Sequence, residues 1–276
     1  MKNKTKKQGH IAVYIVLLSG VLITLLPFIW MLLTSLKTQS EAIHVPPVIF
    51  PSKPIFTIYS DVFKDVPYAR MYLNTIISAA VTVTGQLLLC SMAAYAFAKL
   101  QFPGRDAIFV TLLAVLMVPS SFFILPQYLI IQKLKLLNTV RALFIPNLFS
   151  AFGTFLLRQF FMSLPSDLED AAALDGCNPF MTYWRIMLPL AKPGLVSLGI
   201  LTLRFAWNDL MWPLIVNTSQ EKMTLTAGLA YMQGQYQTNF PEMMAGAMMA
   251  IIPLLILFAV FQKQFIEGIA LTGIKG

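Results

Sequence analysis

Three stretches of this chain, residues 11–36, 71–98 and 107–132, contain no Asp, Glu, Lys or Arg. Each exceeds the roughly 20 residues that a helix needs to cross about 30 Å of hydrocarbon. A backbone placed in lipid must satisfy its own hydrogen bonds, so runs of this length are expected as helices. Three further apolar segments follow, at 142–162 with Arg158 near one end, 194–216 and 243–262. The expected fold is therefore all-α and polytopic, with six transmembrane helices and both termini on one side of the membrane. Charged residues make up 12% of the 276 positions and apolar residues 57%. Soluble domains carry about a quarter charged.

Lys2, Lys4, Lys6 and Lys7 precede the first span, which places the N-terminus, and hence the C-terminus, in the cytoplasm. The stretch 99–105 agrees with this orientation, whereas Lys133, Lys135 and Arg141 then face outward. The first span is too long for a signal-peptide core and lacks a small-residue cleavage site, so it is expected in the mature protein. Residues 1–10 read as a basic cytoplasmic tail, and 11–276 as one transmembrane domain with an extracytoplasmic loop at 37–70 and a cytoplasmic loop at 163–193. Pro46, Pro47, Pro51 and Pro54 favour extended chain, so 37–70 is expected to act as a spacer. Pro27, Pro119, Pro126, Pro146, Pro213 and Pro253 fall within the spans and read as kinks. No internal repeat and no inverted pair of broken helices is evident. The net charge of +8 suits anionic headgroups and calls for no nucleic acid. Cys90 and Cys177 lie in a span and in the polar loop, too far apart to pair, and are expected as free thiols.

The loop reads SLPSDLEDAAALDGCNPFMTYWRIMLPLAKP and carries four acids. Ser166 and Glu169 have the spacing of a capping box. Asp167, Glu169 and Asp170 crowd a first turn, where the helix dipole favours negative charge. Gly176 supplies a left-handed stop. Asn178 then caps a second helix with Pro179 at its first position, running to about Met187 and stopping at Pro189. The first helix is too short to stand alone in water. Leu168, Ala171, Ala172 and Leu174 give it a small apolar side suited to a groove on another protein. A lipid-surface helix would instead carry Lys or Arg on its polar side.

These residues resemble the cytoplasmic "EAA" loop of ABC importer permease subunits. Asp170, Ala171, Ala172, Gly176, Ile186, Leu188 and Pro189 match that pattern at its spacing. Aspartate stands at 170 for the usual glutamate, and Cys177 for a common alanine. Trp207-Asn208-Asp209, followed by Trp212-Pro213-Leu214, is similar to the fifth-helix signature of the carbohydrate-uptake group, which includes the smaller maltose permease subunit. The stretch from Met244 through Pro253 to the terminal Gly276 is similar to the same group. The resemblance implies a type I importer in a bacterial or archaeal cell membrane. Its parts would be this permease in a heterodimer with a second permease subunit, two ATPase subunits, and an extracellular or periplasmic sugar-binding protein. ATP and Mg would then belong to the ATPase partners, and this chain would bind no cofactor.

By the same resemblance, Leu168, Glu169, Asp170, Ala171, Ala172, Asp175 and Gly176 would contact the ATPase. Trp207, Asn208 and Asp209 would either border the sugar path or lock helix packing. Gln233, Gly234 and Gln235 would reach the binding protein or simply connect two spans. Arg204, one turn before Asn208, stays unassigned. With only His10 and His44, and no HExxH or GxSxG, neither a metal site nor a catalytic centre is expected. The glycines at 268 and 273 are followed by Ile274, not the lysine of a phosphate loop, so ATP hydrolysis belongs elsewhere. Glycerol phosphate is the alternative solute, and a secondary transporter the alternative class.

Overall fold

In the computed structural model, the backbone is described for residues 2–233 and 238–273, and side chains for 13–233 and 238–262. Every regular element among them is helical. The chain divides into two compact units, Met1–Val66 with Leu229–Ile252, and Pro67–Gly228 with Pro253–Gly276.

In the first unit, α1 (Lys2–Thr34) runs without a break through Pro27. Its side chains from Val13 to Trp30 are exposed and mostly apolar, as suits a helix placed in a membrane. The segment after it is not an extended spacer. It holds α2 (Gln39–Ala42) and α3 (Ile58–Asp65), and it folds back on the end of α1. The buried Lys37 ammonium lies 4.2 Å from the Trp30 ring centre and donates to the Val48 carbonyl at 2.6 Å. The Ser52 amide donates to Glu41 at 2.9 Å, and the Ile55 amide to the Leu36 carbonyl at 3.0 Å. Proline removes donors from this loop, and side chains at its base supply the missing ties.

The second unit is built on α4 (Tyr68–Lys99). After it come α5 (Arg105–Ala114), α6 (Ile124–Lys133), α7 (Val140–Phe144), α8 (Ala151–Ser163), α9 (Asp167–Leu174), α10 (Pro179–Thr182), α11 (Leu188–Leu190), α12 (Lys192–Asn208), α13 (Met211–Val216) and α14 (Leu225–Tyr231). The chain's last described helix is α15 (Phe240–Gly273), which contains Pro253. Parts of α1 and α15 and the whole of α4 are each long and apolar enough to cross a membrane.

The other three spans are broken, two of them beside Pro119 and Pro146, which the sequence marks as kinks. Arg105–Met117 and Ser120–Lys133 meet at 102°, because Val118, extended at φ −92° and ψ 126°, precedes Pro119. A residue before proline is driven out of helical geometry. Val140–Asn147 and Ala151–Ser163 meet at 44° just past Pro146. The loop's Pro179–Leu190 meets Lys192–Asn208 at 76°, where the chain enters the fifth span. The expected fifth span at 194–216 is likewise interrupted, since α12 ends at Asn208 and Asp209 is extended. The chain is thus a multi-pass helical membrane protein with six spans, three of them bent.

Close approach around α4 depends on small residues. A Cβ at Gly85 would lie 2.6 Å from Leu148, and one at Gly153 would lie 3.2 Å from the Cys90 sulfur. Cys90 and Cys177 are both free thiols.

Candidate functional site: the loop 163–193

The core beneath the loop is formed by Cys90, Ala94 and Tyr95 of α4, Leu157 and Phe161 of α8, Tyr183 and Met187, and Ala191 and Leu198. Leu168 and Ile186 pack against its edge. The loop is therefore seated on its own chain, although its first helix was expected to need another protein to hold it.

The predicted capping box does not form. Ser166 makes no side-chain cap bond, because Glu169 is turned toward α4. Its carboxylate lies 3.2 Å from the Lys99 ammonium and accepts from the Tyr95 hydroxyl at 3.4 Å. Lys99 also donates to the Leu164 carbonyl at 2.8 Å. The Lys99 and Glu169 side chains are only 9% and 22% exposed. At that depth a charged partner satisfies the carboxylate better than one neutral amide does. Removing either partner would leave a largely desolvated charge, a costlier event than losing a surface ion pair.

The remaining local signals hold. Gly176 adopts φ +78°, in the left-handed region where a Cβ is disfavoured. The Asn178 side chain accepts the Met181 amide at 2.8 Å, with Pro179 at the first position of α10. The second helix does not stop at Pro189. It continues through a π-type turn at Tyr183–Met187 into α11. A widened turn ahead of Pro189 accommodates a ring that has no N–H to give and that would crowd an α-helical carbonyl.

Seating the loop sorts its residues into two faces. Ala172 is buried, and Leu168 and Glu169 are half-buried against the chain itself. Asp170, Ala171, Ala173, Leu174, Asp175 and Gly176 are exposed, Leu174 at 89%. Phe180 and Trp184 are exposed beside them. Four acids or small residues, a left-handed glycine and three large apolar side chains thus form one outward surface. The sequence reading singled out neither Phe180 nor Trp184. It counted Lys99 only toward orientation and did not consider Tyr95.

At the second predicted site, Trp207 is buried and meets the Tyr72 ring edge-on at 6.1 Å. The Asp209 carbonyl accepts the Thr226 hydroxyl at 2.6 Å. Trp212 is buried and donates from its indole to the Ala142 carbonyl at 2.8 Å. Asn208 is exposed and bonds back to the Arg204 carbonyl at 2.8 Å, and Arg204 is exposed as well. Of the third group, the Gln233 amide closes a turn on Ala230 at 3.2 Å, while Gly234 and Gln235 lie outside the described residues. Among the described residues, no group of His, Cys, Asp and Glu could hold a metal.

The family described as "Binding-protein-dependent transport system inner membrane component" matches residues 86–270. The arabinooligosaccharides transport system permease protein AraQ of Bacillus subtilis is 36% identical over 258 residues, with 92% of each chain covered. The sulfoquinovosyl glycerol transport system permease protein SmoH of Agrobacterium fabrum is 33% identical over 98% of this chain and 94% of its own. The sn-glycerol-3-phosphate transport system permease protein UgpE of Yersinia pestis is 29% identical, covering 93% and 94%. Among solved structures, a bacterial ABC transporter involved in the import of the acidic polysaccharide alginate superposes with a TM-score of 0.81. It is 24% identical, and the match covers 94% of this chain and 97% of that one.

Proposed function

The chain belongs to the family of inner-membrane components of binding-protein-dependent transport systems, and on that premise we propose that its loop 163–193 is where ATP hydrolysis is delivered to the spans. It is a non-catalytic permease subunit of an ABC importer. Our reading assigns ATP and Mg to two ATPase partners, and assigns a second permease subunit to complete the path. Both termini lie in the cytoplasm on this reading.

One observation carries the assignment. The short helix α9 is fixed to its own chain along one face, while the other face presents Asp170, Ala171, Leu174, Asp175 and Gly176 to solvent. Exposed apolar surface on an otherwise anchored helix suits insertion into a partner's cleft. Gly176→Pro tests this, because proline holds φ near −65° where the loop needs +78°. The full transporter carrying it is expected to assemble and hydrolyse ATP yet fail to import. Undiminished uptake would count against the assignment. In wild-type cells, uptake is expected to cease when ATP is depleted and to persist when the proton gradient collapses. The opposite pattern would favour a secondary transporter.

The solute we propose is a carbohydrate. Support comes from relatives named for arabinooligosaccharide and sulfoquinovosyl glycerol transport, and from the break at 208–210, where the exposed Asn208 amide offers hydrogen bonds suited to hydroxyls. Trp207 and Asp209 act there as supports, one packed on Tyr72 and one holding the Thr226 hydroxyl with its carbonyl. A phosphate-bearing solute is the second reading, favoured by the exposed Arg204 guanidinium one turn from Asn208. Competition of uptake by oligosaccharides but not by glycerol phosphate separates the two.

A further inference from the structure

Ser91, Tyr95 and Lys99 follow one another at four-residue steps along α4, so their side chains form a single stripe. Each of the three meets the loop. The Ser91 hydroxyl lies 2.8 Å from the Tyr183 hydroxyl in the π-type turn. The Tyr95 ring packs 5.3 Å from that of Tyr183, while its hydroxyl donates to Glu169. Lys99 pairs with Glu169 and holds the Leu164 carbonyl at the point where the chain leaves α8. Both arms of the loop are therefore tied to one helix that is distant in sequence. The covalent route from the loop, by contrast, passes through the 76° bend into α12.

We propose that Lys99 and Tyr95 are positioning residues that latch the coupling loop to α4 through Glu169, making α4 the element that receives the loop's movement. This rests on the coupling reading above. The bend between α11 and α12 turns the chain by 76°, so the covalent route does not carry the loop's displacement straight along α12. A partly buried ion pair with a tyrosine donor resists displacement, because separating it exposes an unpaired charge to a poorly solvating surface. The latch thus gives that displacement a direct tie to α4. It also accounts for Glu169 facing away from the outward surface that Asp170 and Asp175 share.

The test uses the complete transporter in proteoliposomes, reading solute imported per ATP hydrolysed. Lys99→Glu and Glu169→Lys are each expected to lower that ratio about five- to tenfold, while hydrolysis continues. The double exchange is expected to restore it to within about twofold, because the pair is re-formed with its signs swapped. A merely structural role would lower assembly, hydrolysis and import together and leave the ratio unmoved. Lys99→Gln keeps a donor for Leu164 and deletes the charge, so it reads the latch even where charge reversal prevents assembly. Its ratio is expected to fall, whereas Lys99→Arg retains coupling. An unchanged ratio in Lys99→Gln, or a double exchange no better than either single variant, overturns the latch. If Gly176→Pro uncouples while these variants do not, the latch alone fails. If Gly176→Pro also imports normally, the coupling reading fails with it.

Discussion

Leu174 and Ala172 are two positions apart on the same short helix and have opposite fates, 89% exposed and 2% exposed. The difference separates recognition from folding. Leu174→Ser removes an apolar side chain that touches little of its own chain. Thermal stability is expected to hold, while the amount of ATPase subunit retained on purification falls about tenfold, as loss of a buried anchor would cause. Ala172→Leu forces extra volume between α9 and the core and is expected to lower stability by about 1–3 kcal/mol. A thermal melt of each variant, alongside its co-purification yield, distinguishes the two roles. If Leu174→Ser retained its partner, the outward face would lose its most exposed apolar contact as an anchor. Trp207 carries the same lesson. The sequence left it either bordering the solute path or locking helix packing. The ring packs on Tyr72, and Asn208 is the residue left exposed.

At the scale of elements, the loop after α1 is closed by Glu41. The Ser52 hydroxyl, the Thr38 amide and the Ser52 amide hold its carboxyl well below the usual carboxylate range, at about 2. A carboxyl depressed by the fold stabilises that fold above its free-chain value of about 4.5. The contribution is lost as pH falls toward 2. Hydrogen exchange across residues 44–52 is therefore expected to be slow at neutral pH and to accelerate between pH 4.5 and 2. Glu41→Gln should exchange faster at neutral pH and lose this acid dependence. An acid response unchanged in that variant would assign the closure to another group. The helices α9 and α10 show how much of an element can be read locally. The left-handed Gly176, the Asn178 cap and Pro179 all involve backbone groups within three residues, and all form as expected. The capping box failed for the opposite reason, since Glu169 found Lys99, seventy positions earlier, a stronger partner than the nearby Ser166 amide.

At the scale of the whole molecule, the family implies an assembly larger than this chain. The segment at 233–235 is proposed to meet the binding protein on the outer side. A photocrosslinker at Gln235 is expected to trap that protein in at least one nucleotide state of the reconstituted transporter. Failure in every state would leave the segment as a connector. Six spans were legible because long uncharged runs have few alternatives in lipid. Kinks were expected at every proline within them, but which prolines break a helix was not legible, because prolines occur in straight and broken helices alike. Pro27 and Pro253 lie inside continuous α1 and α15, while Pro119 marks a 102° turn. Neighbouring side chains and the geometry of the preceding residue decide between these outcomes.

Composition and local spacing by themselves determined that the chain is helical, crosses a membrane six times, and carries a two-helix loop with a glycine turn. Each of those features rests on solvent transfer or on backbone bonds made within a few residues. The tertiary structure decided which face of α9 is free, which acid is tied to α4, and where the third and fifth spans break. These depend on contacts between residues far apart in the chain, where one partner wins over another by burial and charge, and no local pattern records that competition.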